Sequence, residues 1–373
     1  MIKLTKKIFL SLTPILFTLP IMSASCVESR NDNNEQQSGS EVKKQKNREN
    51  IDHSNTFKWG HWNITNFTGN RNQNDKTTRI ALLANEAKFD ILGLTEVLNA
   101  NGVEKIVNKM NELSNSNMYS YIASKKLNGS MFKKKNGNSR DNSEHVAIIY
   151  NKNRFDLEKF STNEVGYSYT DKFNDFLGNN AEYARPPYGV KFKFKEKPDK
   201  KMTVVFAHFD SPGVSRTNRK LGEKKMNGIG IFEYREAKQL FNVLEHFDKI
   251  GNKEGNIFFG GDTNIGLGKQ NIAFDWLTNG NDKDYKSVFE DSENNKTSLG
   301  KNDTWSEPYD KMFYKTNWKL VTKEIFDIYK IINDQKIKTL FKKHKVEIKK
   351  ISDIRKGTVL SDHTFTSATF EIQ

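Results

Sequence analysis

The chain has 373 residues, with 60 Lys plus Arg against 46 Asp plus Glu, a formal charge of +14. Only 35% of residues are hydrophobic but 12% are aromatic, 26 of them Phe. That content supports a sizeable core and excludes a chain disordered throughout. The single Cys excludes an intramolecular disulfide framework, a Cys-rich zinc site and a CxxC redox pair. The basic balance suits a polyanionic partner, whether nucleic acid, phosphorylated substrate or anionic lipid. A Lys-, Asn- and Phe-rich composition gives the same charge with no partner at all.

Lys3, Lys6 and Lys7 precede an apolar run from Ile8 to Met22, broken by Pro14 and Pro20, which closes on Ser23-Ala24-Ser25-Cys26. Residues 1–25 are therefore expected to be a signal peptide, and the run is too short and too broken to span a bilayer comfortably. Small residues directly before the only Cys resemble a bacterial lipobox, which makes Cys26 the expected lipid anchor. An ordinary secretory signal with an incidental Cys is the alternative. Loss of this segment removes three lysines and no acid, leaving about +11, so the basic balance belongs to the remaining chain. Residues 26–56 are polar, with no aromatic before Phe57. They cannot offset the entropy of ordering and are expected to form a flexible tether. Residues 57–373 are then the folded body, held at the extracellular face of the cell membrane.

In chain order the expected strands are Phe57 to Ile64, Ile91 to Thr95, His145 to Tyr150, Tyr188 to Phe194, Thr203 to His208, Ile257 to Gly260 and Thr364 to Ile372. Val190, Phe192 and Phe194 alternate with Lys191 and Lys193, the pattern of a half-buried strand with one wet face. Ala237, Leu240, Phe241, Leu244 and Phe247 recur at helical spacing, so Glu233 to Asp248 is expected to be an amphipathic helix lying on a sheet. The fold class is mixed α/β, with helices covering sheets. Lys125 to Arg140, including Lys133, Lys134 and Lys135, is a basic loop, and Ser211 to Gly230 is another, carrying Arg216, Arg219, Lys220, Lys224 and Lys225. Thr322 to Lys350 is expected to be a Lys-rich helical or irregular excursion. Such runs either line an approach for a polyanion or are only solvated surface.

Polar residues recur at the strand ends, where side chains can converge on a cleft. Asn63 and Asn66 stand in WNITNF, Glu96 ends DILGLTE, Glu144 precedes HVAIIY, and Arg185 precedes PPYGVKF. His208 and Asp210 end VVFAHFD, Asp262 and Asn264 end NIFFGGDTN, Asp310 lies in EPYDKMF, and Asp362 and His363 lie in LSDH. Each alone is an ordinary turn or cap residue. His53, His61, His145, His246 and His344 fit no motif and are expected at the surface or in packing.

With WNI, TEV, HFDSPG, GGDTN, YDK and SDH in this order, the chain from Phe57 to Gln373 resembles the endonuclease/exonuclease/phosphatase superfamily of deoxyribonuclease I. With the lipobox it looks like the surface membrane nucleases of mycoplasmas. The resemblance implies a four-layer α/β sandwich of two mixed β-sheets packed face to face with flanking helices. It also implies metal-assisted hydrolysis of phosphodiester bonds in DNA, and possible action on RNA, with no obligate protein partner. By that resemblance His363 is the general base oriented by Asp310, and His208 with Glu144 is a second acid-base pair. Asp262 and Asn264 position water and phosphate, and Arg185 contacts phosphate. Glu96 with Asn63, completed by Asp362, offers hard oxygen ligands for Mg²⁺ or Mn²⁺, with Ca²⁺ as an auxiliary ion. Lys133, Lys134 and Lys135 are candidate substrate contacts. Asn142 stands where deoxyribonuclease I has a sugar-stacking tyrosine, which puts a DNA-specific mode in doubt. A sphingomyelinase or inositol-phosphate phosphatase of the same fold, and a non-catalytic nucleic-acid-binding surface lipoprotein, are the competing expectations.

Overall fold

The computed structural model describes residues 55–129, 143–214, 224–279 and 285–373, which lie in one compact unit, Asp52–Gln373. The signal segment, Cys26, most of the tether, Lys133, Lys134, Lys135, Asn142, Arg216, Arg219 and Lys220 lie outside the described residues. Among the described residues no helix is long and apolar enough to cross a membrane.

The strands are β1 (Thr56–Phe67), β2 (Ile91–Val97), β3 (Tyr119–Ala123), β4 (His145–Asn151), β5 (Phe155–Glu158), β6 (Gly166–Ser168), β7 (Phe173–Asn174), β8 (Asn180–Ala181), β9 (Tyr188–Phe194), β10 (Lys201–His208), β11 (Lys225–Met226), β12 (Ile229–Gly230), β13 (Ile257–Asp262), β14 (Lys286–Ser287), β15 (Asp310–Lys315), β16 (Lys319–Ile325) and β17 (Thr366–Glu371). They form a six-stranded sheet ordered β16-β17-β1-β2-β4-β3 and a seven-stranded sheet ordered β14-β15-β13-β10-β9-β5, with β6 also on β9. Each sheet has one parallel pair at its centre, β1 with β2 and β10 with β13, flanked by antiparallel strands. The C-terminal ends of those four strands carry Asn63, Glu96, His208 and Asp262.

Strand alternation explains where these residues point. Phe57 and Trp59 of β1, Val204 and Phe206 of β10, Phe258 of β13, Met312 and Tyr314 of β15, and Ala368 and Phe370 of β17 form the core between the sheets. Continuing the same alternation puts His61 and Asn63, His208, Asp262 and Asp310 on that inner face, so the aromatic interlayer gives way to polar groups at one end of the sandwich. The opposite faces bury Trp62, Ile64, Leu92 and Leu94 under the Asn74–Ala87 and Ala100–Leu113 helices, and Val205, Ala207 and Phe259 under the Ile231–Ile250 helix. Four layers result: helices, sheet, sheet, helix. The two sheets meet closely at Gly93, where a Cβ would lie 2.2 Å from the Phe206 ring.

Two local expectations are corrected. Lys191 does not face water: it is 1% exposed and pairs with Glu254 at 3.2 Å and Glu158 at 3.7 Å, because the outer face of β9 is covered. Within the Thr322 to Lys350 excursion the first residues belong to β16, an edge strand whose exposed lysines suit an unpaired edge, and the Gln335–Lys343 helix follows.

Candidate active site

His363 follows the loop that returns the chain to β17. Its backbone is held by Trp62 Nε1 donating to the His363 carbonyl at 3.0 Å and by the His363 N–H donating to Ser361 Oγ at 3.0 Å. Ser361 Oγ donates in turn to the Asn63 carbonyl at 2.6 Å, which ties this loop to β1. His363 Nδ1 lies 2.7 Å from Asp310 Oδ2, and its Nε2 is 3.5 Å from Asp262 Oδ2. His208 repeats the arrangement from the other side. Its Nδ1 is 2.9 Å from Glu144 Oε1 and its Nε2 is 3.6 Å from the same Asp262 Oδ2. Two buried imidazole–carboxylate pairs thus converge on one carboxylate oxygen.

Asn63 Nδ2 donates to Glu96 Oε1 and to Asp262 Oδ2, each at 2.9 Å, while its Oδ1 accepts the Thr65 N–H at 3.0 Å. Glu96 belongs to the outer phase of β2, and a left-handed backbone at φ 56° accompanies its turn toward Asn63. The β1–β2 and β2–β4 registers shift at this place, as bulges do where a side chain must be re-aimed. The Glu96 N–H donates to Glu144 Oε2 at 2.6 Å and Glu96 Oε2 accepts the Asn66 N–H at 2.9 Å. Asn264, also left-handed at φ 54°, donates its N–H to Asp262 Oδ1 at 3.0 Å and its Nδ2 to the Phe209 carbonyl at 3.3 Å.

These contacts set the charge states. Burial disfavours the His363 imidazolium, but Asp310 and Asp262 outweigh it and hold the pKa well above the usual histidine value. His208 is opposed by burial and by Arg185, yet Glu144 and Asp262 raise it as well. Burial raises Glu144 and Asp310, and the charges beside them, His208 and Arg185 for Glu144 and His363 and His61 for Asp310, more than reverse that. Each histidine therefore keeps Nδ1–H toward its carboxylate and offers Nε2 to the space beside Asp262.

Three of the expected site residues are held by contacts within the protein. Asn63 bridges two carboxylates through its amide nitrogen, and its oxygen accepts the Thr65 N–H. Asp362 is bound by the Thr65 hydroxyl and is not in the acidic group with Glu96; the residues whose donor atoms all lie within 4.8 Å of one another are Glu96, His208 and Asp262. Arg185 is buried, with Nε 2.9 Å from both the His208 carbonyl and Glu144 Oε1 and one terminal nitrogen on the Phe209 carbonyl. It braces the His208–Glu144 pair instead of standing open to phosphate.

Two supporting residues escaped the sequence. His61 is fully buried, with Nδ1 3.1 Å from Asp310 Oδ1, off the line of a good hydrogen bond, and Nε2 3.1 Å from Thr95 Oγ1. Glu236, on the Ile231–Ile250 helix, accepts the Ala184 N–H at 2.5 Å and the Asp210 N–H at 2.7 Å. Burial, with Asp210 adding to it, pushes its carboxyl well above the usual range. An acid four residues before Leu240, on the apolar side of an amphipathic helix, was the available signal.

No family profile matches the chain. It is 38% identical over 161 residues to an uncharacterized protein of Mycoplasma pneumoniae, a match covering 42% of this chain and 31% of that protein. Among solved structures, it is similar to an endonuclease/exonuclease/phosphatase family protein from Bacteroides thetaiotaomicron, with 12% identity, 85% of this chain and 98% of that one covered, and a TM-score of 0.52. A second such protein, from Bacteroides vulgatus, gives 15%, 85%, 99% and 0.52. The chain has the endonuclease/exonuclease/phosphatase fold. The catalytic domain of human Nocturnin shares it, with 12% identity over 85% of this chain and 95% of that domain and a TM-score of 0.51. Within this fold the paired histidines and carboxylates lie where the ends of the two central parallel strand pairs meet.

Proposed function

We propose that the chain is a divalent-metal-dependent nuclease that hydrolyses phosphodiester bonds. The observation that carries this is the approach of His363 and His208, each backed by a buried carboxylate, to a single oxygen of Asp262. Two imidazoles on one centre suit a reaction in which one proton leaves a water and another reaches a departing oxygen.

The donor chemistry fits Mg²⁺ or Mn²⁺, since two carboxylates, Glu96 and Asp262, are held on either side of the Asn63 amide. We assign the cation to these two and keep His208 for the substrate, because hard divalent cations prefer carboxylate oxygen to imidazole nitrogen and His208 Nδ1 already lies on Glu144. A divalent cation there neutralises charge on the phosphoryl oxygens and makes bound water more acidic. With a cation offsetting the Asp262 charge, one of the two charges that favour the imidazolium, His363 would be able to take the proton of the attacking water at Nε2 while its Nδ1 stays on Asp310. His208 donates to an oxygen of the phosphate or to the leaving group, and Asn264 and Asp262 confine the reacting atoms between them.

A polynucleotide is favoured among phosphodiesters by the charge of about +11 that residues 26–373 carry, and a cavity of about 260 Å³ lies beside the site. Tyr169, Tyr183, Lys172 and Pro186 line it, and its Leu127 wall is bridged to Glu144. Purified chain starting at Cys26, supplied with Mg²⁺, is expected to cut circular plasmid and RNA and to leave sphingomyelin and inositol phosphates intact. Turnover of either small substrate without nucleic-acid cleavage would replace this proposal with the lipid or inositol alternative. The same proposal places the enzyme on the outer membrane face through a lipid on Cys26. A Cys26→Ser form that is processed and still fractionates with membranes would contradict that anchor.

A further inference from the structure

Lys76 is a lysine in the first turn of the Asn74–Ala87 helix, and it is 0% exposed. Burying an ammonium is costly unless its donors are met. Its Nζ donates to the Thr65 carbonyl and to the Gly357 carbonyl, both at 2.6 Å. The two acceptors belong to different halves of the site. Thr65, near the C-terminal end of β1, makes a left-handed turn with Asn66, at φ 40° and 51°, and this turn directs one N–H to Asn63 Oδ1 and the next to Glu96 Oε2. Gly357 lies in the segment that leads to Asp362 and His363, close enough that a Cβ on it would sit 3.0 Å from Thr65 Cγ2. Burial pulls the Lys76 pKa down to about 7, while Glu96 and Asp362 are the acidic groups whose charges oppose that and favour the ammonium.

We infer that Lys76 is a positioning residue: its Nζ, donating to both carbonyls, clamps the C-terminal part of β1 to the segment carrying His363, and so sets the spacing between the Asn63–Glu96 group and the imidazole. This rests on the proposed nuclease reaction for its kinetic consequence, but the clamp itself is a property of the free protein. Lys76 touches no reacting atom; it acts through the Thr65–Asn66 turn, whose peptides orient the Asn63 amide and the Glu96 carboxylate. A purely stabilising lysine would lower the melting temperature and leave the kinetics of the folded fraction unchanged.

The test compares Lys76→Met, which keeps the stem and removes the donors, with Lys76→Gln, which restores a neutral donor. Lys76→Met is expected to lower kcat about tenfold or more with KM within about twofold. Its Mn²⁺ affinity, measured without substrate, should weaken by about tenfold, the scale typical of groups that support a metal ligand. Lys76→Gln should recover part of both. Independently of activity, hydrogen exchange on chelated protein should lose protection in 63–67 and 357–363 together while the central strands keep theirs. If Lys76→Met does not fold, Lys76→Gln carries the same comparison with smaller effects. Wild-type kcat and Mn²⁺ affinity in the folded variant, or protection lost in only one of the two segments, would overturn the clamp. Absence of hydrolysis by the wild type, together with the paired loss of protection in Lys76→Met, would refute the nuclease proposal and leave the clamp standing.

Discussion

Replacing His363 by alanine is expected to lower turnover on plasmid DNA by roughly two orders of magnitude or more, the usual scale for a positioned acid or base, with the fold retained. The imidazole has no role in either aromatic core, and it sits at the polar end of the interlayer with Nδ1 committed to Asp310 at 2.7 Å. His208→Ala is expected to fall by a similar amount, because its Nε2 approaches Asp262 Oδ2 to within 0.1 Å of the distance found for His363. The measurement is kcat on plasmid for each variant, with circular dichroism to confirm folding. Near-full activity in His208→Ala with loss in His363→Ala would point to a single-histidine mechanism, in which His208 is a structural partner of Glu144 and Arg185. Retention in both would remove the imidazoles from the reaction.

Glu96→Gln should act on the cation. The carboxylate accepts from Asn63 Nδ2 and from the Asn66 N–H, and an amide in its place loses the negative charge and turns a donor toward one of these donors. The half-saturating Mn²⁺ concentration for plasmid cleavage is expected to rise by about tenfold to a hundredfold, the range seen when metal-site support is removed. The backbone at Glu96 is already in the left-handed region, so a glycine substitution is the control for strain. An unchanged Mn²⁺ requirement in Glu96→Gln would move the cation away from Glu96.

Much of the site was legible because it follows from alternation. His208, Asp262 and Asp310 fall on the inner face in phase with Phe206, Gly260 and Met312, and the motifs that contain them mark the strand ends. Glu96 was legible as a strand-end acid, but its direction was not, since the left-handed turn that re-aims it breaks the two-residue period. His61 was read as surface or packing because WGHWN looks like any aromatic strand; its nearness to Asp310 depends on how two separate sheets face each other. Lysines misled in a consistent way. Lys191 was read as solvated and Lys76 carried no mark in the sequence, since only tertiary structure supplies the carbonyls and acids that permit their burial. Arg185 was expected in this neighbourhood as a phosphate contact, and its guanidinium is found on the His208 and Phe209 carbonyls, contacts that depend on tertiary structure.

The most direct test of the account is the rate of nicking of circular plasmid by the wild-type chain as Mn²⁺ is removed with EDTA and then restored. The account predicts that cleavage stops when the cation is chelated, returns in full on restoration, and is lost at every Mn²⁺ concentration in His363→Ala. Undiminished nicking in excess EDTA, or equal nicking by His363→Ala, would contradict it.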